Sequence, residues 1–498
     1  MKNKKLVSLT LTAIMALSAT AFAACGGGED FTNDPTTWES LQSGETVKIV
    51  FAGRDVDSEK INYQNFLNEF NQTNEYGIVA ELKWNNTQDY NIYLEGCGKN
   101  LPDVFMLSNE RFIAYANAGK LADIKDYVDT SLLADLYKEG YEVYYFNPTT
   151  KKVGSSEGAA LYGLPKDQGP VALCYNKDLL TEKVEAYNTA NPSTPLDINK
   201  ITSTTEPMKF SEFLEIGGKL KTVMQGKYVC SGYDLQSIVY SNNANFFTDN
   251  TATTSAITSE NFIGAIKFIQ DMYQTGILPA AGSLNDAEQE FENGNAIFYY
   301  AQPFKTKDYW TTCAAFNWDI LPVLCGDADG AVSTAYVGGM CYAISANSKY
   351  KDAALKLVEF LSCDANSQRT QYKRGQCIPN LKSLSQEYAT NSLNLIGTTN
   401  GGKTSPENRG VWIDVVDGYG SQKTVGGVTY TDKVAGKYCA ESFTYKTDWY
   451  GKLVEYMGGD SSNYGSVWQG ENVRTVLESY NDTFQAALDA MQRILNRN

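Results

Sequence analysis

The stretch Val47–Trp84, VKIVFAGRDVDSEKINYQNFLNEFNQTNEYGIVAELKW, decides the fold class of this chain. It opens with an apolar strand pattern at residues 47–52 and closes with a second one at residues 78–84. Between them, four apolar residues recur at the spacing of one helix face: Tyr63, Phe66, Leu67 and Phe70. A third strand pattern, Val104–Leu107, comes next. Strand–helix–strand alternation of this kind predicts an α/β fold with largely parallel sheets.

The length and the last helical pattern indicate how the chain is organised. A chain of 498 residues is too long for a single hydrophobic core, so we expect two lobes of ordinary domain size. Near the end, seven apolar residues repeat at steps of three and four: Val473, Leu477, Tyr480, Phe484, Leu488, Met491 and Leu495. We interpret this pattern as a helix that packs against a lobe, rather than as a coiled coil with a partner.

The N-terminus has the features of a secretory signal peptide. Lysines at positions 2, 4 and 5 precede an apolar stretch that runs to Ala24 and is followed by Cys25. The ending Phe22-Ala23-Ala24-Cys25 resembles the bacterial lipobox, in which the cysteine is acylated and becomes the new N-terminus. The alternative is an ordinary signal peptide with Cys25 as a bystander. Residues 26–45 are small and polar, as in a flexible tether. We therefore expect a lipid-anchored protein on the extracytoplasmic face of the cell membrane.

Charge and composition exclude several classes of function. Without residues 1–24 the chain keeps 39 basic and 58 acidic residues, a net charge of −19, which argues against nucleic-acid binding. The chain contains no histidine, so Ser-His-Asp and Cys-His catalysis and histidine metal sites are excluded. The ten cysteines form no C-x-x-C pair, and their wide spacing is unlike that of a zinc site.

Seven segments follow one another between residues 46 and 380: the strand and loop at 47–55, LPDVFMLSNERFIAYANAGKLADI at 101–124, YGLPKDQGPVALCYNKDLL at 162–180, PMKFSEF at 207–213, FENGNAIFYYAQPF at 291–304, WDILPVL at 318–324, and YVGGMCYAISANSKYKDAALKLVEFL at 336–361. In this order they resemble the extracellular solute-binding proteins of bacterial ABC transporters that are related to maltose-binding protein. Each segment alone is only weakly specific for this family. Their occurrence in the family's order, behind a lipobox, is much more specific. From Gly397 onward the resemblance thins.

The resemblance implies a periplasmic-binding-protein-like type II fold, in which a hinge joins two α/β lobes and the ligand lies between them. The implied divisions are a signal peptide at 1–24, the lipidated cysteine and tether at 25–45, an N-terminal lobe at 46–168 and 336–375, and a C-terminal lobe at 169–335 and 376–498. The implied function is delivery of a carbohydrate, in particular an oligosaccharide, to ABC permease subunits in the membrane. A monomer without catalytic activity, cofactor or metal is expected.

A sugar site needs planar polar groups for the hydroxyls and aromatic rings for the C–H faces. In the first lobe, the resemblance places such groups after the first and third strands: Arg54, Asp55, Asn109, Glu110 and Arg111. The alternative for Arg54 and Asp55 is a surface ion pair. Leu107 stands where the family often has an aromatic ring, so the resemblance does not extend to a stacking ring from this loop.

Five further positions complete the predicted site. Asp167 and Gln168 lie at the crossing into the second lobe, where packed polar residues of a hinge are the alternative. Phe304 follows Pro303 where the family often has a stacking tryptophan, and core packing is its alternative. Tyr336 lies on the return crossing. Trp412 resembles a ring from the C-terminal part that closes over the ligand.

Other functions remain open from the residues alone. A glycosidase needs only two carboxylates, but no motif isolates such a pair, and neither Gly-x-Ser-x-Gly nor a phosphate-binding glycine loop is present. Within the binding class, the alternatives are a peptide, a polyamine, a phosphate ester or a metal. An adhesin or surface scaffold would favour repeats or many strands.

Overall fold

This computed structural model describes residues 46–54, 57–85, 89–248, 253–390, 406–417, 423–425, 428–430, 434–438, 447–459 and 467–496. The predicted signal peptide, the lipidated Cys25, the tether and the site residue Asp55 lie outside these ranges. Among the described helices, none combines the length and the apolar character that a membrane span requires.

The strands, numbered in chain order, are β1 (Val47–Arg54), β2 (Ile78–Asn85), β3 (Val104–Ser108), β4 (Tyr145–Asn147), β5 (Lys152–Val153), β6 (Ala160–Leu161), β7 (Gly163–Pro170), β8 (Ala172–Asn176), β9 (Tyr228–Cys230), β10 (Ala296–Ala301), β11 (Trp318–Leu321), β12 (Ser333–Ile344), β13 (Lys423–Val425), β14 (Val428–Tyr430) and β15 (Val434–Tyr438).

The α-helices are α1 (Asp57–Thr73), α2 (Tyr90–Cys97), α3 (Asn109–Asn117), α4 (Thr130–Leu133), α5 (Lys138–Glu142), α6 (Lys177–Ala190), α7 (Ile198–Ile201), α8 (Phe210–Lys221), α9 (Leu235–Ser241), α10 (Glu260–Gln274), α11 (Ala287–Glu292), α12 (Thr306–Thr312), α13 (Lys351–Cys363), α14 (Ala365–Lys373), α15 (Ser385–Thr390), α16 (Gly410–Asp417), α17 (Lys452–Val454) and α18 (Val473–Leu495).

The chain divides into two compact units. The first unit comprises Met1–Phe105, Ala118–Asp123 and Ile344–Ala354, and the second comprises the remainder. The lobe boundaries predicted from the sequence differ from this division and stay a prediction.

The first unit is built on the elements that the opening stretch predicts. Strand β1 pairs in parallel with β2 from Val47↔Ile78 to Arg54↔Asn85, and in parallel with β3 at Phe51↔Val104. All four apolar residues predicted on one face of α1 are buried, and the ring of Tyr63 stacks on that of Phe51 at 5.1 Å. The helix face and the parallel strands predicted here are therefore confirmed.

The second unit contains a four-stranded sheet in the order β11-β8-β10-β9. Strand β10 is parallel to β9, whereas β8 is antiparallel to both β10 and β11. The expectation of largely parallel sheets is wrong for this sheet, because β8 is inserted against the direction of the other three strands. Antiparallel neighbours need no helical crossover between them, so a pattern of strand–helix alternation does not reveal them.

The last helix, α18, packs within the second unit. Its seven predicted apolar residues are all buried. Ring contacts join Phe484 to Phe247 and Trp449, with centroids 6.3 and 6.1 Å apart, and Gln485 accepts a hydrogen bond from the backbone N–H of Ser255 at 2.9 Å. These contacts agree with a helix that packs on its own chain.

Candidate functional site

Strands β7 and β12 form an antiparallel ribbon that brings several predicted site residues together. The register pairs Gly169 with Gly338, Gln168 with Gly339 and Asp167 with Met340, and it shifts between Met340 and Cys341. Tyr336 lies one residue before the paired stretch Val337–Ala343. Tyr336 is about 170 positions from Asp167 and Gln168 in the sequence, but all three lie in this ribbon.

The ribbon glycines make room for the side chain of Gln302, which follows β10. The Gln302 amide donates a hydrogen bond from Nε2 to the carbonyl oxygen of Gly169 at 2.6 Å. A Cβ atom on Gly338 would lie 3.0 Å from this Nε2 and 3.5 Å from the Tyr336 hydroxyl. Such a close approach is possible only where the strand has no side chain. We call Gly169, Gln302, Tyr336 and Gly338 the Gly338 cluster.

Tyr336 is held in place by its backbone. Its N–H donates to Ser237 Oγ at 2.9 Å, and its carbonyl oxygen accepts from the N–H of Val171 at 2.9 Å. Ser237 lies in the first turn of α9, where its own N–H is capped by Asp234 Oδ1 at 2.7 Å. The tyrosine is 7% exposed, so its ring is held by the surrounding residues. Its hydroxyl lies next to Gly338.

Asp167 and Gln168 are tied into the fold of the ribbon. The Asp167 carboxylate contacts Lys166 Nζ at 2.7 Å and accepts the N–H of Met340 at 2.9 Å. Gln168 is 2% exposed, and its side chain occupies the space that a Cβ on Gly140 of α5 would need. The side chains of both residues contact the ribbon or the helix beside it, and their role at the ligand stays a prediction.

The carboxyl end of β10 presents an aromatic ring to solvent. Phe304 is 49% exposed, and Lys305 Nζ lies 5.6 Å from the centroid of its ring. The ammonium is held by Glu288 Oε2 at 2.8 Å, and Tyr309 donates its hydroxyl to Glu288 Oε1 at 2.9 Å. A cation at this distance from a ring is weakly attracted to its π face and limits its movement.

Four buried polar atoms lie near the carboxyl ends of β9 and β10 or in the helix that follows. They are Ser231 Oγ, Tyr300 Oη, Thr306 Oγ1 and Trp310 Nε1, and within the part of the chain that the structure describes none has a hydrogen-bond partner. Burial raises the pKa of the Tyr300 hydroxyl well above its usual value, so this group remains a donor at any physiological pH. Unpaired buried polar groups are unfavourable and are commonly found at functional sites.

The other predicted residues lie elsewhere. Arg54 is half-buried at the end of β1 in the first unit, whereas Asn109 is buried and Arg111 half-buried in α3. Glu110 belongs to the same helix, and its side chain is outside the described part. Trp412 is 1% exposed in α16, a helix that packs against β7 and β15, so its ring is enclosed in the core.

Sequence reasoning missed Gln302, Ser237 and Tyr300. Gln302 stands in the quoted segment that ends with Phe304, but its hydrogen-bond partner is 133 residues away. Nothing in the local pattern distinguishes it from any other surface glutamine. Among the described residues, no group of three or more cysteine, aspartate or glutamate side chains is arranged to hold a metal ion.

Comparisons with known proteins agree with this architecture. Residues 65–394 match the family model of the bacterial extracellular solute-binding proteins. A galactooligosaccharide-binding protein of Bacillus subtilis is 29% identical over 235 residues, which cover 46% of this chain and 51% of that protein. A maltooligosaccharide ABC transporter solute-binding lipoprotein of Streptococcus pneumoniae is 21% identical over 388 residues, 76% of this chain and 82% of that protein.

Solved structures show the same fold. The sugar-binding protein MalE from Xanthomonas citri has a TM-score of 0.63 at 17% identity, with 91% of this chain and 100% of that chain covered. An ABC substrate-binding protein from Listeria monocytogenes in complex with cycloalternan has a TM-score of 0.61 at 17% identity, with 89% and 100% covered. The predicted α/β, periplasmic-binding-protein-like fold is thereby confirmed. Because the family model also matches more than half of the sequence, the chain belongs to the bacterial extracellular solute-binding proteins.

Proposed function

We propose that this chain is the solute receptor of an ABC importer and that its ligand is a carbohydrate, in the form of an oligosaccharide. The observation that carries the proposal is the exposed ring of Phe304, two residues after Gln302 of the Gly338 cluster, together with the unpaired polar atoms around β10. A sugar offers C–H faces to a ring and hydroxyls to such polar atoms, so one ligand satisfies both.

The named relatives support a carbohydrate over the other small solutes. One is called a galactooligosaccharide-binding protein, a second is a maltooligosaccharide lipoprotein, and a structure of similar fold holds cycloalternan. The matched region spans only about half of the first of these proteins, so its ligand is carried over here as a proposal. A peptide or a polyamine is the second candidate, since members of one fold bind different solutes.

The proposed contacts follow from the position of each side chain. Phe304, Tyr336 and Gln302 are proposed as direct contacts in the second unit. Arg54, Asp55, Asn109, Glu110 and Arg111 stay the proposed contacts from the first and third strands. Asp167, Gln168 and Trp412 are proposed to support the site through their packing. The chain is proposed to catalyse no reaction, and its lack of histidine removes the commonest general base.

The proposal includes the predicted lobes and the anchor. Cys25 is proposed to carry the acyl chains that hold the protein at the extracytoplasmic face, and permease subunits are the proposed partners of a monomer. One of the relatives is itself a solute-binding lipoprotein of an ABC transporter. The lobes at 46–168 with 336–375 and at 169–335 with 376–498 are proposed to close over the sugar by a hinge motion.

The direct test is a binding panel on the chain from residue 25 onward. Its seven tryptophans provide an intrinsic fluorescence readout for maltooligosaccharides, galactooligosaccharides, short peptides and polyamines. We expect saturable changes with at least one oligosaccharide and none with the peptides or polyamines. Saturation by peptides alone would contradict the sugar ligand. Release of reducing sugar during incubation with a glycoside would contradict the non-catalytic role.

A further inference from the structure

Three lysines surround an open cavity of about 390 Å³ in the first unit. Lys48, Lys99 and Lys349 line this cavity, all three are exposed, and Asp103 is the one acidic residue in its described lining. Lys351, two residues after Lys349, is buried and donates from Nζ to the carbonyl oxygen of Ser348 at 3.0 Å. We call Lys48, Lys99 and Lys349 the lysine face.

Asp103, the acidic residue of the described lining, is engaged by the fold. Asp103 Oδ2 accepts the N–H of Val50 at 2.8 Å, and its Oδ1 accepts the Ser348 hydroxyl at 2.6 Å. Lys48 lies 3.3 Å from Glu81, but both side chains are more than half exposed, and such a pair contributes little in water. Three of the four charged residues in the described lining of this cavity are basic, although the protein as a whole is strongly acidic.

The cavity lies at the edge of the sheet where the proposed tether joins the fold. Lys48 is the second residue of β1, and Asp103 directly precedes β3, so the cavity lies at the amino ends of two parallel strands. Cys25 is 22 residues before Val47, and a chain of that length with the composition predicted for a flexible tether has a root-mean-square length of about 25 Å. Arg54, at the other end of β1, is roughly 20 Å from Lys48 along the strand.

We propose that the lysine face binds the headgroups of anionic phospholipids and turns the amino edge of the first unit toward the membrane. The proposal rests on the acyl anchor proposed for Cys25, which keeps this edge within reach of the lipid. Ammonium groups near an anionic bilayer are attracted to it over about one Debye length, whereas the acidic remainder of the chain is repelled. The attraction therefore selects this face and leaves the carboxyl end of β1 toward the solvent.

Vesicle co-sedimentation tests the proposal independently of acylation and of sugar binding. The protein is the chain from residue 25 with Cys25→Ala, which keeps every residue that the structure describes. One variant replaces the lysine face (Lys48→Gln, Lys99→Gln and Lys349→Gln). A control of equal charge replaces three exposed lysines of the second unit (Lys221→Gln, Lys373→Gln and Lys382→Gln). The vesicles contain phosphatidylcholine with phosphatidylglycerol, or phosphatidylcholine alone.

We expect partition onto the phosphatidylglycerol vesicles at low salt, with at least about a tenfold loss in the lysine-face variant and a small loss in the control. Equal losses in both variants, or equal partition onto phosphatidylcholine alone, would overturn the proposal. Absence of binding to the phosphatidylglycerol vesicles by the protein with an intact lysine face would overturn it as well. Unchanged thermal unfolding and sugar titration of the variants show that folding and the proposed function are intact, while acyl labelling of Cys25 reports separately on the anchor.

Discussion

At the scale of single residues, Phe304 is the side chain on which the sugar proposal depends most. About half of its surface is exposed, although an exposed phenylalanine gains nothing for the fold by facing water. Its neighbour Lys305 is fixed by Glu288, so the ring is restrained before any ligand arrives. Restraint of this kind lowers the entropy that binding must offset.

The variant Phe304→Ala is expected to weaken oligosaccharide binding about tenfold, which corresponds to ~1.4 kcal/mol of lost ring contact. Stability should change little because the ring is largely exposed. Titration calorimetry measures the affinity, and Tyr76→Ala, at a similarly exposed ring of the first unit, is the matched control. Equal affinities in both variants would show that Phe304 does not contact the sugar.

Gly338 provides a second test at this scale. In Gly338→Ala the new methyl group would meet Gln302 Nε2 at 3.0 Å, so the amide must move away from Gly169. We expect a loss of ~1–3 kcal/mol in unfolding free energy, as for other overpacked sites, and weaker sugar binding. Gly218→Ala, where no atom lies within 4 Å in helix α8, should instead gain ~0.5–1 kcal/mol. Urea unfolding distinguishes the two, and a stable Gly338→Ala protein with normal affinity would contradict the role of the cluster.

The individual residues also show where sequence reasoning stops. The position of Phe304 after a proline at the end of a strand was visible in the sequence. The contact between Gln302 and Gly169 was not, because it depends on the pairing of segments 133 residues apart. The burial of Trp412 likewise follows from the packing of α16 on β7 and β15 rather than from the residues beside it.

At the scale of elements, local periodicity predicted the faces of α1 and α18 correctly, because both helices bury one apolar stripe. The direction of β8 could not be predicted in the same way. Five residues of strand give no indication of which neighbour they pair with or in which sense. Pairing of this kind is decided by tertiary contacts.

Helices α14 and α15 are joined by a carboxylate whose effect depends on pH. Glu387 accepts hydrogen bonds from the Tyr372 hydroxyl and from Arg369 Nε, and these bonds lower its pKa. A lowered pKa in the folded state stabilises the protein above the unfolded-state pKa, and this contribution is lost as pH falls through the folded-state value.

Glu387→Gln should therefore lower the melting temperature at pH 7 and have a much smaller effect under strongly acidic conditions, where the glutamate is protonated in both states. Thermal unfolding of the two proteins over a series of pH values measures the difference. Glu157→Gln, at an exposed glutamate, is the control and should show no such pH dependence. A difference that stays constant with pH would mean that the charge of Glu387 is not involved.

At the scale of the whole molecule, the family assignment is firm and the anchor is a proposal. The match over residues 65–394 does not include Cys25, so acylation rests on the N-terminal sequence and on a lipoprotein among the relatives. The order of the seven segments predicted the fold because proteins of one topology have their strands and crossings in the same order along the chain. The identity of the sugar depends on side chains from distant segments.

The anchor leads to a prediction for cells. Cys25→Ala should move the protein from the membrane fraction to the soluble exported fraction, because the acyl chains have no attachment point. Fractionation with fatty-acid labelling measures both effects, and Cys97→Ala, at a cysteine within the fold, is the control. Membrane retention and labelling of the Cys25→Ala protein would contradict the proposed lipobox.

The central claim is that an oligosaccharide binds where Phe304 and the Gly338 cluster meet the carboxyl end of β10. The most direct measurement is a crystal structure of the protein with the oligosaccharide that binds best in the fluorescence panel. We expect a sugar ring against Phe304, with hydroxyls hydrogen-bonded to at least one of Gln302, Tyr336 and Tyr300. A sugar bound away from all four residues would contradict it.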